Sequence, residues 1–189
     1  EALIHNRNGV IDFYNGRRRE VCAASPNAAH MAVAELERHF DVTVITQNID
    51  DLHERAGSSN VIHLHGEIGK LCSSLDKSLT VEIGYRMQGY DERHPVDGSP
   101  LRPFIVFFGE AVPLMERAAE ETSTADTFIV IGTSLQVYPA ASLVHYVKRG
   151  APVYLVDPVK PAVGNVRYIE ATAAKGVPAL VAELIAGAR

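Results

Sequence analysis

The chain has 189 residues, a formal net charge of -5 and 47% apolar residues, enough for one folded domain with a sizeable core. The acidic balance argues against a general nucleic-acid binder, and two cysteines, Cys22 and Cys72, are too few for a disulfide framework or a four-thiolate zinc site. No apolar run reaches membrane-spanning length and the first residues lack the parts of a signal peptide, so the expected protein is soluble, cytoplasmic and free of membrane.

Residues 1–24 read as helical, with Val10, Ile11, Phe13 and Tyr14 as apolar contacts. Tyr14 and Arg17 are three apart and share a helix face, while Arg17-Arg18-Arg19 alone reads as a solvated basic patch. Ser25-Pro26-Asn27 signals a helix start, and Ala29, Ala32, Val33, Leu36 and Phe40 form the stripe of a helix running to about His39. His30 and His39 read as surface residues. An apolar strand, Val42–Thr46, then feeds the most informative stretch, TQNIDDLHERAGSSNVIHLHGE, from Thr46 to Glu67. Polar groups just past the carboxyl end of an apolar strand are where open α/β sheets place ligands. Gln47, Asn48 and Asp50 suit such a crevice, and Asp51–Gly57 reads as a brief helix with a glycine cap. Val61–His65 alternates as a strand; His63 and His65 fall on one side, so parity does not choose between them.

The segment from Ile68 to Pro100 is the least regular, with many charges, Gly84, Gly89 and Gly98, and a turn at Pro95–Gly98. His94 and Asp97 are isolated as metal ligands. Leu101–Phe108 reads as a strand, Pro113–Thr122 as a helix, and Thr127–Ile131 as a fully buried strand of a parallel sheet. Gly132-Thr133-Ser134 follows, offering close backbone approach and two hydroxyls to a phosphate or ribose. A helix is expected from Tyr138 to about Arg149, a strand over Val153–Val156 ending at Asp157, and an amphipathic helix over Pro178–Ala188. An acidic residue at a strand end suits ribose hydroxyls.

TQNID, LHERAG and HLHGE in that order, followed by FFGE at Phe107–Glu110 and GTSLQVYPA at Gly132–Ala140, form a long compound motif. On these residues the chain resembles the sirtuin family, the NAD-dependent protein-lysine deacylases, over nearly its whole length apart from about Ser73–Ser99. The resemblance implies a doubly wound, mostly parallel Rossmann-like α/β sheet over 1–67 and 101–189. A small irregular module at 68–100 interrupts it, without the zinc cysteines many members carry; no zinc is expected, and Cys72 becomes an ordinary thiol. It makes His65, the histidine before Gly-Glu, the general base on a ribose hydroxyl, with His63 structural. Asn48 orients ribose or a reactive water, Asp50 binds the nicotinamide carboxamide end, Gln47 supports the ribose side, and Ile49 belongs to the same cofactor-binding run. Gly132, Thr133, Ser134, Asp157 and Ala173 hold the adenosine half; most members have asparagine where Asp157 stands. Val106, Phe107, Phe108, Gly109 and Glu110 pair with an acylated-lysine peptide. FYNGR matches the YxxR signature of members that remove acidic acyl groups, so Tyr14 and Arg17 are expected to hold a succinyl or malonyl carboxylate.

The implied reaction consumes NAD and yields nicotinamide, free lysine and O-acyl-ADP-ribose, with deacetylation as a second activity. The family's phosphate-wrapping glycine-rich segment, GAGxSxxSGIPxFR, is not in the sequence, and the chain as written is expected to bind NAD weakly. The alternatives are a non-catalytic acyl-peptide or nucleotide binder, and an NAD glycohydrolase or ADP-ribosyl transferase.

Overall fold

The structure is a computed structural model describing residues 2–133, 139–159, 164 and 166–188. The chain forms two compact units. One comprises residues 1–25, 48–51 and 65–111, the other residues 26–47, 52–64 and 112–189.

The second unit is a doubly wound α/β structure. Strand β1 (Val44–Thr46) pairs in parallel with β2 (Val61–His63), and β6 (Phe128–Ile131), β7 (Val153–Asp157) and β8 (Arg167–Glu170) form a parallel sheet in that order. Alternate side chains of a strand point to opposite faces, and each face here has its own helices. Val44, Val61, Ile129, Ile131 and Val156 pack with α3 (Ala28–Leu36) and α6 (Ala173–Gly187). Ile45, Ile62 and Phe128 pack with α5 (Met115–Thr124) and a 3-10 helix over Ala140–Tyr146. Asn27 starts α3 through a capping box: its side chain accepts from Ala29 and His30 N–H, and its own N–H donates to His30 Nδ1. The short α4 (Leu52–Ala56) ends at Gly57, whose φ of 109° is the left-handed conformation a glycine cap supplies.

Four points of this unit differ from expectation. The last helix begins at Ala173, with Pro178 inside it, because Lys175 and Gly176 N–H already close turns on Thr172 O. Strand β8 is an addition, recognisable only through its pairing with β7. Strand β6 is half-buried at Phe128, Ile129 and Ile131 and fully buried at Val130 alone. The helix expected from Tyr138 has its described part as the 3-10 turns of Ala140–Tyr146, and Tyr138 itself lies outside the described residues.

The first unit is built on the 17-residue helix α2 (Arg7–Ala23), preceded by the single turn α1 (Ala2–His5), and on an antiparallel sheet in the order β4 (Thr80–Glu82), β3 (Gly66–Ser73), β5 (Leu101–Ile105). The stretch read as least regular thus carries most of the longest strand, β3. Gly66 sits at φ 87°, and a Cβ there would meet Phe104 O at 2.0 Å, so only glycine lets β3 enter against β5. Leu101–Phe108 ends as a strand at Ile105, because the Phe107 N–H turns to the Glu110 carboxylate.

The middle arginine of the basic triplet is not solvated. Arg18 is fully buried: its Nε donates to Ile68 O at 2.8 Å and its Nη1 to Asn15 Oδ1 at 2.8 Å. Asn15 and Gln88 exchange two further bonds, and Gln88 Nε2 reaches Leu101 O, so one polar chain ties α2 to β3 and β5. Burial, helped by nearby Arg86 and opposed by Glu92, lowers the Arg18 pKa to about 10. A buried charge survives where hydrogen bonds replace its water. Cys72 is buried, and burial pushes its thiol pKa up. Near it, Asp97 accepts from Ser73 Oγ at 2.5 Å and Ser99 N–H at 2.9 Å, while His94 Nδ1 accepts from Val96 N–H. Among the described residues no group of three or more metal-ligating side chains is gathered, and no helix is long and apolar enough to cross a membrane.

Candidate active site

The polar stretch after β1 divides between the units. Gln47 closes the second unit's portion, while Asn48, Ile49, Asp50 and Asp51 belong to the first, as does His65. Two main-chain bonds fix the first unit's loops. Ile68 N–H donates to Ile49 O at 2.7 Å, anchoring the Asn48–Asp51 loop to β3. Val106 N–H donates to His65 O at 3.0 Å, setting the histidine backbone beside the chain leaving β5. Tyr85 Oη donates to Asp51 Oδ2.

His63 and His65, inseparable by parity, differ in setting. His63 is buried in the second unit with Nε2 2.7 Å from Glu54 Oε1, a structural placement, whereas His65 is half-buried in the first unit.

Tyr14 and Arg17 lie on α2, one turn apart. The Tyr14 ring stands edge-on to Phe107, centroids 5.8 Å apart, and to Phe13 at 5.1 Å. Burial raises the Tyr14 pKa, against the opposing pull of Arg102 and Arg17, so its hydroxyl is a neutral donor at physiological pH. Arg17 is half exposed and its Nη1 donates to Glu20 Oε2 at 2.5 Å.

Arg102 and Lys77 stand out in no sequence motif, yet they organise the Val106–Glu110 segment. Arg102 Nη1 and Nη2 bond the two Glu110 oxygens at 2.8 and 3.1 Å, and Lys77 Nζ lies 2.8 Å from Oε1. The only signal for the pair was an arginine and a glutamate flanking a strand end, a spacing too common to read. Partial burial alone pushes the Glu110 pKa up. Hydrogen bonds from Arg102, Lys77 and the Phe107 N–H outweigh it and hold the group at about 2, below its ordinary 4.5. A depressed carboxylate pKa stabilises the fold above the unfolded value, and that stabilisation is lost as pH falls toward the folded one. Acid unfolding of the wild type relative to Glu110→Gln should therefore show a stability advantage on the order of 1 to 2 kcal/mol at pH 6, after allowing for solvent screening. The advantage should shrink between pH 4.5 and 2. A pH-independent difference would remove the carboxylate as its source.

In the second unit the expected nucleotide residues collect at carboxyl ends of parallel strands. Gly132 follows β6 at φ 59°, with no other group of the described residues within 4 Å of where a Cβ would stand, and Gln47 Nε2 lies 3.5 Å from Thr133 Oγ1. Asp157 ends β7; its Oδ1 accepts Val159 N–H at 2.8 Å and its carbonyl accepts Tyr168 Oη at 2.9 Å. Ala173 is the first residue of α6. Ser134 lies outside the described residues. A glycine, a hydroxyl and a carboxylate at strand ends fit the ribose side of a nucleotide.

One unit is a doubly wound α/β structure with polar groups after its strand ends, and the other, smaller unit carries a histidine, an asparagine and a tyrosine–arginine pair. The Sir2 family model matches residues 2–139. The chain is 56% identical over 156 residues to the NAD-dependent protein deacylase of Bacteroides thetaiotaomicron, covering 79% of this chain and 65% of that protein, so it spans about two thirds of that relative's length. It also superposes on the crystal structure of a Sir2 homolog–NAD complex with a TM-score of 0.89 at 37% identity, covering 100% of this chain and 76% of the other. Sir2Af2 bound to a myristoylated histone peptide gives a TM-score of 0.74 at 36% identity, covering 94% and 80%. The chain belongs to the Sir2 family.

Proposed function

We propose that the protein is an NAD-dependent protein-lysine deacylase that prefers acyl groups ending in a carboxylate. The observation that carries the preference is the Tyr14–Arg17 pair on one face of α2, with the Tyr14 ring against Phe107 of the Val106–Glu110 segment. A phenol donor and a guanidinium fork suit the far carboxylate of succinyl- or malonyl-lysine, whereas an acetyl group has nothing for either to hold. The deacylase reading is supported by the relatives' activity, by a solved family member holding an acylated peptide, and by the anchoring of His65 and the Asn48–Asp51 loop.

When bound, NAD would supply an electrophilic ribose carbon for the acyl oxygen, with nicotinamide as the leaving group. Gly132, Thr133 and Asp157 would hold its adenosine half, Gln47 would support the ribose side, Ala173 would meet the adenine, Ile49 would line the cofactor, and Asp50 would hold the nicotinamide carboxamide end. Asn48 orients the ribose or an attacking water. His65 would take a proton from a ribose hydroxyl at one ring nitrogen, a task suited to an imidazole, which can accept a proton and give it up again. Val106, Phe107, Phe108 and Gly109 receive the peptide backbone as an added extended segment.

The test is a mass-resolved assay of the full-length gene product with NAD and matched succinyl-, malonyl- and acetyl-lysine peptides. The expected result is acid-acyl removal with formation of O-acyl-ADP-ribose and slower deacetylation. Nicotinamide release without lysine product would turn the reading to an NAD glycohydrolase. Peptide binding without turnover would turn it to a binding module.

A further inference from the structure

The segment after β5 is stiffened from behind. Val106, Phe107 and Glu110 N–H groups are all engaged within the protein, by His65 O, Glu110 Oε2 and Phe107 O. Among the described residues, the N–H groups of Phe108 and Gly109 take no partner. The Phe108 side chain is fully exposed, and Gly109 turns the chain at φ 87° with open space at its Cβ position. The tip is therefore presented to solvent while its base is fastened. The fastening converges on one carboxylate. Glu110 receives two Nη donors of Arg102, the Lys77 ammonium and the Phe107 N–H. Arg102 is buried, also donates to Ile105 O at 2.9 Å, and lies 4.5 Å over the Phe107 ring, which in turn meets Tyr14.

We propose that Glu110, expected from the resemblance to pair with the peptide, is instead a positioning residue: with Arg102 and Lys77 it clamps the base of the Phe107–Gly109 tip, presetting the groups that dock an acylated peptide, and it does not itself touch the peptide. Its carboxylate has at least four donors already, so a peptide N–H would have to displace one of them. Lys77 comes from the segment between β3 and β4, so the irregular module takes part in holding the peptide-docking tip. A tip ordered before binding spares the peptide the entropy of ordering it, which appears in peptide affinity and not in the chemical step. The inference rests on the deacylase reading for its substrate, and on geometry alone for the clamp.

The experiment has two arms on the full-length protein. Amide hydrogen exchange compares wild type with Glu110→Gln and Lys77→Met; the second variant changes a half-exposed side chain and keeps the test open if the first folds poorly. Phe107 exchange should accelerate about 10-fold or more in Glu110→Gln, as expected for one lost charge-assisted bond, and by about threefold in Lys77→Met, with β3 amides unchanged. In kinetics, the acyl-peptide KM should rise about 10-fold in Glu110→Gln while kcat and the NAD KM stay within about twofold. Unchanged Phe107 exchange overturns the clamp. Faster exchange with an unmoved peptide KM overturns its role in docking, as does a matching rise in the NAD KM. A wild type that neither binds nor turns over acyl-peptide sinks the deacylase reading and the docking role together, while the exchange arm still decides the clamp.

Discussion

Replacing His65 with tyrosine should lower deacylation by about 10²- to 10⁴-fold, the range typical of losing a positioned general base. The fold should persist. His65 is half-buried, and the contact that sets its place is a main-chain one, Val106 N–H to His65 O at 3.0 Å, which any side chain leaves intact. The neighbouring glycine is the sensitive position: a Cβ at Gly66 would meet Phe104 O at 2.0 Å, so changes there would disturb the strand and not the chemistry. The contrast with His63 makes the prediction specific. His63 is 8% exposed and bonded to Glu54, so its loss should register in thermal stability before it registers in turnover. The check is progress curves for nicotinamide and free lysine, beside a melting curve, for both variants. Near-wild-type lysine release from folded His65→Tyr would place the general base elsewhere.

Why some of the molecule was legible in the sequence and some was not follows from where the information lies. Strand β7 is an apolar run, Val153–Val156, closed by Asp157 and flanked by Pro152 and Pro158, and its ends fall where local chemistry puts them. Strand β3, GEIGKLCS, breaks every period: two glycines, a lysine and a cysteine hide it, and it exists because β4 and β5 pair on either side. Strand β8 is four residues defined only by β7. Arg18 sat between two arginines of the same apparent character; only the tertiary fold supplies the Ile68 carbonyl and the Asn15 amide that make its burial tolerable. The candidate site divides in the same way. A compound motif named Asn48, Asp50 and His65, since residue identity carries that signal. The anchoring bonds from Ile68 and Val106, and the convergence of Arg102 and Lys77 on Glu110, join residues distant in sequence and leave no local trace.

Arg17→Met should reduce kcat/KM for succinyl-lysine peptide by about 30- to 1000-fold, the equivalent of about 2 to 4 kcal/mol, and leave acetyl-lysine turnover within about threefold. The size follows from an exchange of partners. In the free protein the Arg17 guanidinium bonds Glu20 across one helical turn, with both side chains more than half exposed. A surface pair of that kind contributes at most about 1 kcal/mol, so releasing it costs little. The acyl carboxylate that replaces Glu20 would be partly desolvated against Tyr14 and Phe107, where a guanidinium fork and a neutral phenol hydroxyl are worth more than in water. Methionine keeps the length and apolar stem of arginine but offers no donor, so the succinyl carboxylate loses its cation while an acetyl group loses nothing. Tyr14→Phe should share the direction with a smaller loss of about 10-fold, because a neutral donor contributes less than a charged one. Steady-state kinetics with both peptides at saturating NAD measure the ratio directly. Equal losses on succinyl and acetyl peptides would mean that Arg17 supports the helix and not the selection of substrate.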